Sequence, residues 1–561
     1  MRVRSVISGV GLAALMWTAA QAADVLPLVD DAPTGAIKPQ PLPHAPRLDL
    51  ALPAGFSADL PPEAPPPAVA PSPAEALAAD IHAALDRFVA APEQGRPIGA
   101  GDWKAARTAI AAVYAERAYA PLWLDGDHWN AAARAALARL AKAREDGLDV
   151  ALTPPPADSD PQAKADAEIA LSAAVVAYAM QASGARLNPR ALSKDVTPKV
   201  EVADPAFALK SVAAAPDADA ALEAFNPPQP GYRALREALA AERGEAPAPV
   251  AKFSPGPILK LGMTDPRVPL IRARFGLGAQ NDAATAEVYD IRVASAVAAF
   301  QRVHGLPPNG ALTEATASAL DGFSAHARRD DLLLANMEMW RWQPRDMGET
   351  RVEVNVPDFT VRLMRGEDEV WRSRVIVGKP DTPTPIFSNS IKYMLFNPVW
   401  RVPESIIKKE MEPHAASDPD YFARHGYKVS YVGDRMVVEQ PPGEANALGR
   451  MLFLFPNEHA VYLHDTPQRG LFASGFRAYS HGCVRVEDPA KLAELLTGWS
   501  EARVRGYLGD KERTVALPAP VPIHIQYFTE IPDESGRIQE RQDVYGLTAK
   551  VAFALAKLRR D

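Results

Sequence analysis

Near Arg351 the apolar residues of this 561-residue chain change their spacing from steps of three and four to steps of two. A helix repeats a face every 3.6 residues and a strand every second residue, so helical units must come first and a β-rich unit after them. Upstream, runs rich in Ala, Leu, Arg and Glu predict helices over Asp80 to Val89, Trp103 to Ala118, Trp129 to Ala143 and Ala167 to Gln181. Ala106, Ile110, Val113 and Ala118 form a partial apolar stripe, Leu137, Leu140 and Ala141 a better one, and Trp123 and Trp129 read as core aromatics. Downstream, Val352, Val354 and Val356, then Val361 and Leu363, then Val375 and Val377 alternate with polar residues, and Gly366 with Glu367 and Asp368 turns a hairpin. The length exceeds what one core supports, so the fold class expected is multidomain α+β.

The boundaries follow from changes in composition. Arg2 and Arg4 before the apolar run Val6 to Trp17, with Ala20-Gln21-Ala22 after it, predict an export signal over 1–22; an uncleaved anchor is the alternative. Residues 23–78 are Pro-rich and read as a disordered tether, and 79–250 as a helical scaffold. In 251–325, Asp265-Pro266 predicts a helix start followed by Val268, Ile271 and Phe275. A second helix carries Val293, Val297 and Phe300 and stops at Gly305, and Thr313 caps a third that ends at Leu320. Residues 326–350 read as a connector, 351–525 as the β-rich domain and 526–561 as a C-terminal segment with a helix. Within the β-rich domain, Ser405 to His414 reads as a helix in an insertion of about 405–450, and strands resume at Met451. A net charge of -8 supplies no basic field, which excludes nucleic acid as the main partner.

Cys483 is the only cysteine, and an exported chain normally uses cysteines in pairs. It closes no internal disulfide, so its neighbours decide whether it is inert or reactive. They are Tyr479-Ser480-His481-Gly482-Cys483-Val484-Arg485, with Tyr462-Leu463-His464-Asp465-Thr466-Pro467 upstream, His464 lying 19 residues before the cysteine. A free thiol titrates near about 8.5, so a nucleophilic cysteine needs a base within reach or a cation beside it. Tyr462 and His464 share a face if this run is extended, and the main chain of Asp465 is the nearest group to fix the imidazole's other nitrogen. The N–H groups of Gly482 and Cys483 are candidate donors to the oxyanion of a tetrahedral intermediate. His481 ranks second as base, and Arg485 either shapes the loop or attracts a carboxylate. A zinc reading of His459, His464, His481 and Cys483 fits no compact ligand spacing, and no metal or cofactor is expected.

The S-H-G-C-x-R signature and the Y-L-H-D-T-P run are joined by Ile376-Val377-Gly378-Lys379-Pro380, Thr382-Pro383-Thr384-Pro385, Asn397-Pro398-Val399-Trp400 and Val402-Pro403. Together they resemble the L,D-transpeptidase catalytic domain, in its large Gram-negative periplasmic branch. Ala296 to Gln301, Gly305-Leu306 and Asn309 to Thr313 resemble a three-helix peptidoglycan-binding domain, with a supporting helical bundle as the bland alternative. The resemblance implies a mostly β catalytic fold with a capping subdomain over about 405–450, whose return carries Asn446-Ala447-Leu448-Gly449. It implies a periplasmic enzyme whose Cys483 is acylated by a tetrapeptide stem, with His464 as base, and whose product is a 3-3 diaminopimelate cross-link. Ser480, His481, Gly482 and Arg485 would surround the nucleophile, Asp465 would orient the base, Trp400 and Tyr462 would line the cleft, and carbapenems would acylate the same sulfur. Resolution of the thioester by water or by a protein amine stays open, as does a noncatalytic wall-binding role.

Overall fold

The computed structural model describes residues 72–92, 98, 100–150, 160–244, 251–278, 283–304, 306–321 and 325–558. The expected export signal, and the Pro-rich tether up to residue 71, lie outside the described residues. Residues 73–78 belong to a helix, Pro73–Ala90, instead of the tether: Ser72 and Glu75 form a reciprocal capping box and Pro73 takes the first helical position. Among the described residues no helix is long and apolar enough to cross a membrane.

The helical unit is built around Pro161–Ala182, whose residues are buried on nearly every side. Frequent alanine along it lets Pro73–Ala90, Ala100–Ala115, Ala131–Ala141 and Pro205–Ala214 approach closely. Its one acidic core residue, Glu168, accepts from the main-chain N–H of Trp123 at 3.0 Å and the Tyr114 hydroxyl at 2.8 Å, so burial does not strand a charge. Trp123 is fully buried, as expected, whereas Ala118 falls past the end of its helix in a left-handed conformation and Ala141 faces solvent.

A second cluster gathers Val268, Ile271, Phe275, Val293, Val297, Phe300 and Leu320, the apolar positions expected of the three-helix module. Its first helix is Val268–Arg274 and begins later than expected, because Asp265 spends its carboxylate on the main chain and guanidinium of Arg267 in a turn before it. Asp290 caps Ile291–Val303, and Thr313 accepts from Thr316 N–H at the start of Glu314–Asp321.

The third unit is a sheet of nine strands, β1 (Thr350–Asn355), β2 (Thr360–Arg365), β3 (Asp368–Gly378), β4 (Phe387–Phe396), β5 (Met451–Leu454), β6 (Leu463–His464), β7 (Ala478–Ser480), β8 (Val484–Val486) and β9 (Arg513–Gln526). The order is β7-β3-β8-β6-β5-β4-β9-β1-β2, and β2 also pairs with β3, so the sheet closes on itself. Val352, Val354, Val361, Leu363, Val375 and Val377 fill its interior. The stretch expected as a connector is a buried helix, Ala325–Arg341, whose Leu333, Met337 and Trp340 enter that same core together with Leu235 and Leu239 of Pro230–Gly244.

The insertion between β4 and β5 forms its own small body. Trp400–Arg401, Arg435–Gln440 and Lys428–Val432 make a three-stranded sheet, and Val402, Ile407, Met411 and Val438 make a separate core. The helix expected over 405–414 runs as Glu404–Ile406, a π turn Ile407–Met411 and Glu412–Ser417. The π turn precedes Pro413, which has no N–H to continue the α ladder. Asn446 closes the base of this cap: its amide donates to the carbonyls of Pro398, Gln440 and Pro441 at 2.9–3.1 Å.

Candidate active site

The parallel pairing of β6 with β8 sets Leu463 opposite Val484 and His464 opposite Arg485, and Val484 N–H donates to the Tyr462 carbonyl at 3.1 Å. Sides alternate along each strand, so Leu463 and Val484 enter the core while Tyr462, His464, Cys483 and Arg485 share the other face. Slipping either strand by one residue would exchange these sets, so the hydrophobic register that folds the sheet also assembles the reactive groups.

His464 is buried and its Nδ1–H donates to the main-chain carbonyl of Asp465 at 2.6 Å. That bond selects the tautomer whose Nε2 carries a lone pair. Burial, and then the Arg485 charge, pull the imidazole down to about 3 against the carbonyls of Asp465 and Leu448, so the ring is neutral near pH 7. The Asp465 carboxylate turns away, accepting from Arg450 N–H, Thr466 N–H and the Arg469 guanidinium. Orientation of the imidazole therefore comes from the Asp465 main chain and not from its side chain.

Cys483 is half-buried. Burial pushes its thiol up, and the main chain of Tyr462, the Arg485 charge and the Tyr462 hydroxyl push it back. The Tyr462 ring stands edge-on to His464 at 5.8 Å. With a neutral imidazole and a protonated thiol, His464 and Cys483 carry no ion pair at rest.

The expected two-donor oxyanion set of Gly482 and Cys483 is not formed. Gly482 N–H donates to Ser480 Oγ at 3.1 Å, and Ser480 Oγ donates to the Cys483 carbonyl at 2.5 Å. Gly482 adopts φ +114°, a conformation open to glycine, which lets this small ring close. Cys483 N–H takes no acceptor among the described residues. The Tyr462 hydroxyl bears on the sulfur itself.

His481 points outward and its Nε2 pairs with Glu410 Oε1 of the cap's π turn at 2.6 Å. Arg485 donates to Gln468 Oε1 at 2.6 Å, while its buried Nε has no hydrogen-bond partner among the described residues. Trp400 packs in the cap's own cluster, 6.2 Å from Tyr427. His459 bonds Thr197 Oγ1 at 2.7 Å, away from the other residues of the zinc reading. Among the described residues no group of three or more His, Cys, Asp or Glu could hold a metal.

Residues 349–523 match the family model of the L,D-transpeptidase catalytic domain, and that stretch holds every one of these groups. The chain carries an L,D-transpeptidase catalytic domain. Residues 108–239 match a scaffold domain and 273–320 a peptidoglycan binding domain. A Haemophilus influenzae protein described as an L,D-transpeptidase is 33% identical over 222 residues, which are 36% of this chain and 45% of that one, so the match spans about half of the relative. An L,D-transpeptidase from Mycobacterium smegmatis is 17% identical over 32% of this chain and 58% of its own, with a TM-score of 0.18. One from Xylanimonas cellulosilytica is 17% identical over 50% of this chain and 100% of its own, with a TM-score of 0.16.

Three groups in or against the L,D-transpeptidase domain were not singled out as site residues from sequence. Glu410 sits in a run of charges that reads as an exposed helix face. Thr384 hides in a Pro-rich turn, and Tyr545 lies beyond the family match. For Ser480 a local signal did exist: a serine two residues before a glycine forms just such a side-chain turn.

Proposed function

We propose that this chain is an exported, periplasmic peptidoglycan L,D-transpeptidase that works through a thioester on Cys483. The observation that carries the reading is the single face shared by Tyr462, His464, Cys483 and Arg485 inside the matched catalytic domain. Sγ attacks the carbonyl between the L-centre of diaminopimelate and D-Ala of a tetrapeptide stem, and His464 Nε2 takes the thiol proton. The tetrahedral oxyanion accepts from Cys483 N–H and the Tyr462 hydroxyl. The C–N bond then breaks, and D-Ala leaves as an amine with the proton returned by His464. The amine of a second stem attacks the thioester, gives its extra proton to His464 and expels the sulfur, which is reprotonated. The product is a 3-3 cross-link.

Arg485 places a positive charge beside Cys483 that attracts the carboxylate of a bound stem, and the peptidoglycan-binding module supports a wall substrate. Carbapenems fit the same acylation step, because opening the lactam forms the same acyl–sulfur bond. The test is intact mass after carbapenem treatment: one adduct is expected on the wild type and none on Cys483→Ala, and an unlabelled wild type overturns the reading. Muropeptide analysis with tetrapeptide substrate is expected to give 3-3 dimers. Tripeptide alone would assign the thioester to hydrolysis.

A further inference from the structure

The nucleophile loop is braced from a part of the chain that lies outside the catalytic match. Tyr545, between the strand Ile538–Glu540 and the helix Leu547–Leu558, donates its hydroxyl proton to the Gly378 carbonyl at 2.7 Å and accepts from Thr384 N–H at 3.2 Å. Thr384, fully buried, accepts from Gly378 N–H at 2.9 Å and donates its own hydroxyl proton to the Gly482 carbonyl at 2.8 Å. A hydroxyl has one proton, so the direction of this relay is set at both residues. The Tyr545 main chain is held in turn: its N–H donates to the Tyr527 hydroxyl at 2.6 Å, which donates to Asp543 at 2.6 Å. The turn is pressed tight, since a Cβ on Gly378 would lie 2.2 Å from the Thr382 carbonyl.

The Gly482 carbonyl and the Cys483 N–H belong to one peptide plane and point in opposite directions. Pinning the carbonyl therefore aims the N–H. We propose that Thr384, held by Tyr545, is a positioning residue that fixes the plane of the Gly482–Cys483 peptide and so directs the Cys483 N–H at the oxyanion. This rests on the nucleophile reading given above.

The test uses the full chain and two reactions of the same sulfur. Acylation by a carbapenem needs the oxyanion donor; alkylation by iodoacetamide, in which a C–S bond replaces a C–I bond at a saturated carbon, does not. Thr384→Val removes both hydroxyl bonds at nearly constant shape, and acylation is expected to fall ~100-fold, the scale of losing one aimed donor. Alkylation should stay within about twofold, because the sulfur and its base are untouched. Tyr545→Phe, which keeps the ring against Tyr527, is expected to lose ~10-fold in acylation alone, and Thr384→Ser to recover to within about threefold of wild type. Should Thr384→Val not fold, the Tyr545→Phe pair of rates decides by itself. Wild-type acylation in Tyr545→Phe, or parallel loss of acylation and alkylation, overturns the positioning role while leaving Cys483 as nucleophile. A wild type that takes no adduct overturns both.

Discussion

Residues 480–483 and the cap that touches them are held by opposite means. The loop is tied by buried hydrogen bonds: Ser480 Oγ to Gly482 and Cys483, Thr384 to the Gly482 carbonyl, and Lys379 N–H to the Ser480 carbonyl at 3.0 Å. The cap's hydrogen bond to the loop is donated by His481 Nε2–H to Glu410 Oε1, and the two side chains are 37% and 50% exposed. A buried polar group left unpaired costs about 1–3 kcal/mol, whereas an exposed ion pair contributes about 0–1. The loop is thus held to a narrow geometry, whereas the cap contact breaks easily. The cap keeps its own core and is anchored at its base by Asn446, so freeing one contact need not unfold it.

Cutting the loop's own brace should cost far more than cutting the cap contact. Ser480→Ala leaves Gly482 N–H and the Cys483 carbonyl unpaired in a buried setting, and is expected to lower stability by about 2–4 kcal/mol in urea unfolding. Carbapenem acylation of the folded fraction should fall about tenfold, because the two peptides on either side of the Gly482–Cys483 plane lose their tie. Wild-type acylation in Ser480→Ala would erase the contrast between loop and cap.

A smaller effect is expected from pH, and it belongs to the buried half of the comparison. In the unfolded chain His464 titrates near 6.5 and in the folded chain near 3, so between these values only the unfolded chain takes up the proton. Its contribution is absent above about pH 6.5 and turns against folding as pH falls toward 3; at pH 4.5 it amounts to about 2–3 kcal/mol. Replacing His464 by Gln should flatten the fall in stability between pH 6.5 and 4.5 by that amount. Acylation by the wild type should show no acid limb near pH 6.5, since the free base stays neutral there. A limb at 6–7 would mean a solvated imidazole and a looser site.

Sequence carried the chemistry of this site further than its support. The lone cysteine, the strand alternation and the base orientation by the Asp465 main chain were legible because each depends on neighbours one or two residues away. The use of Gly482 N–H was misread for a local reason, the competing Ser480 hydroxyl. Thr384 and Tyr545 are 161 residues apart and meet only because the C-terminal segment folds back over the sheet. No periodicity encodes such a contact. The same limit explains Ala325–Arg341, which falls in the stretch read as a connector: Arg341 and Glu338 are buried as partners in one network with Arg186 and Tyr232. Burial of charge by pairing leaves no apolar pattern to find.

The mildest change expected is at the cap. Glu410→Gln removes the charge but leaves an amide that can still meet His481, and an exposed pair of this kind is worth at most about 1 kcal/mol, a factor of about five. Acylation by a small carbapenem should therefore change less than about fivefold. Hydrogen exchange in 404–417 should quicken slightly, since the π turn at Ile407–Met411 is held less firmly from outside the cap. His481→Gln should behave alike, and the double variant should add little, as two ends of one contact do. If instead either variant lost acylation ~100-fold, His481 would belong to the chemistry and the exposed contact would have to be counted with the buried brace.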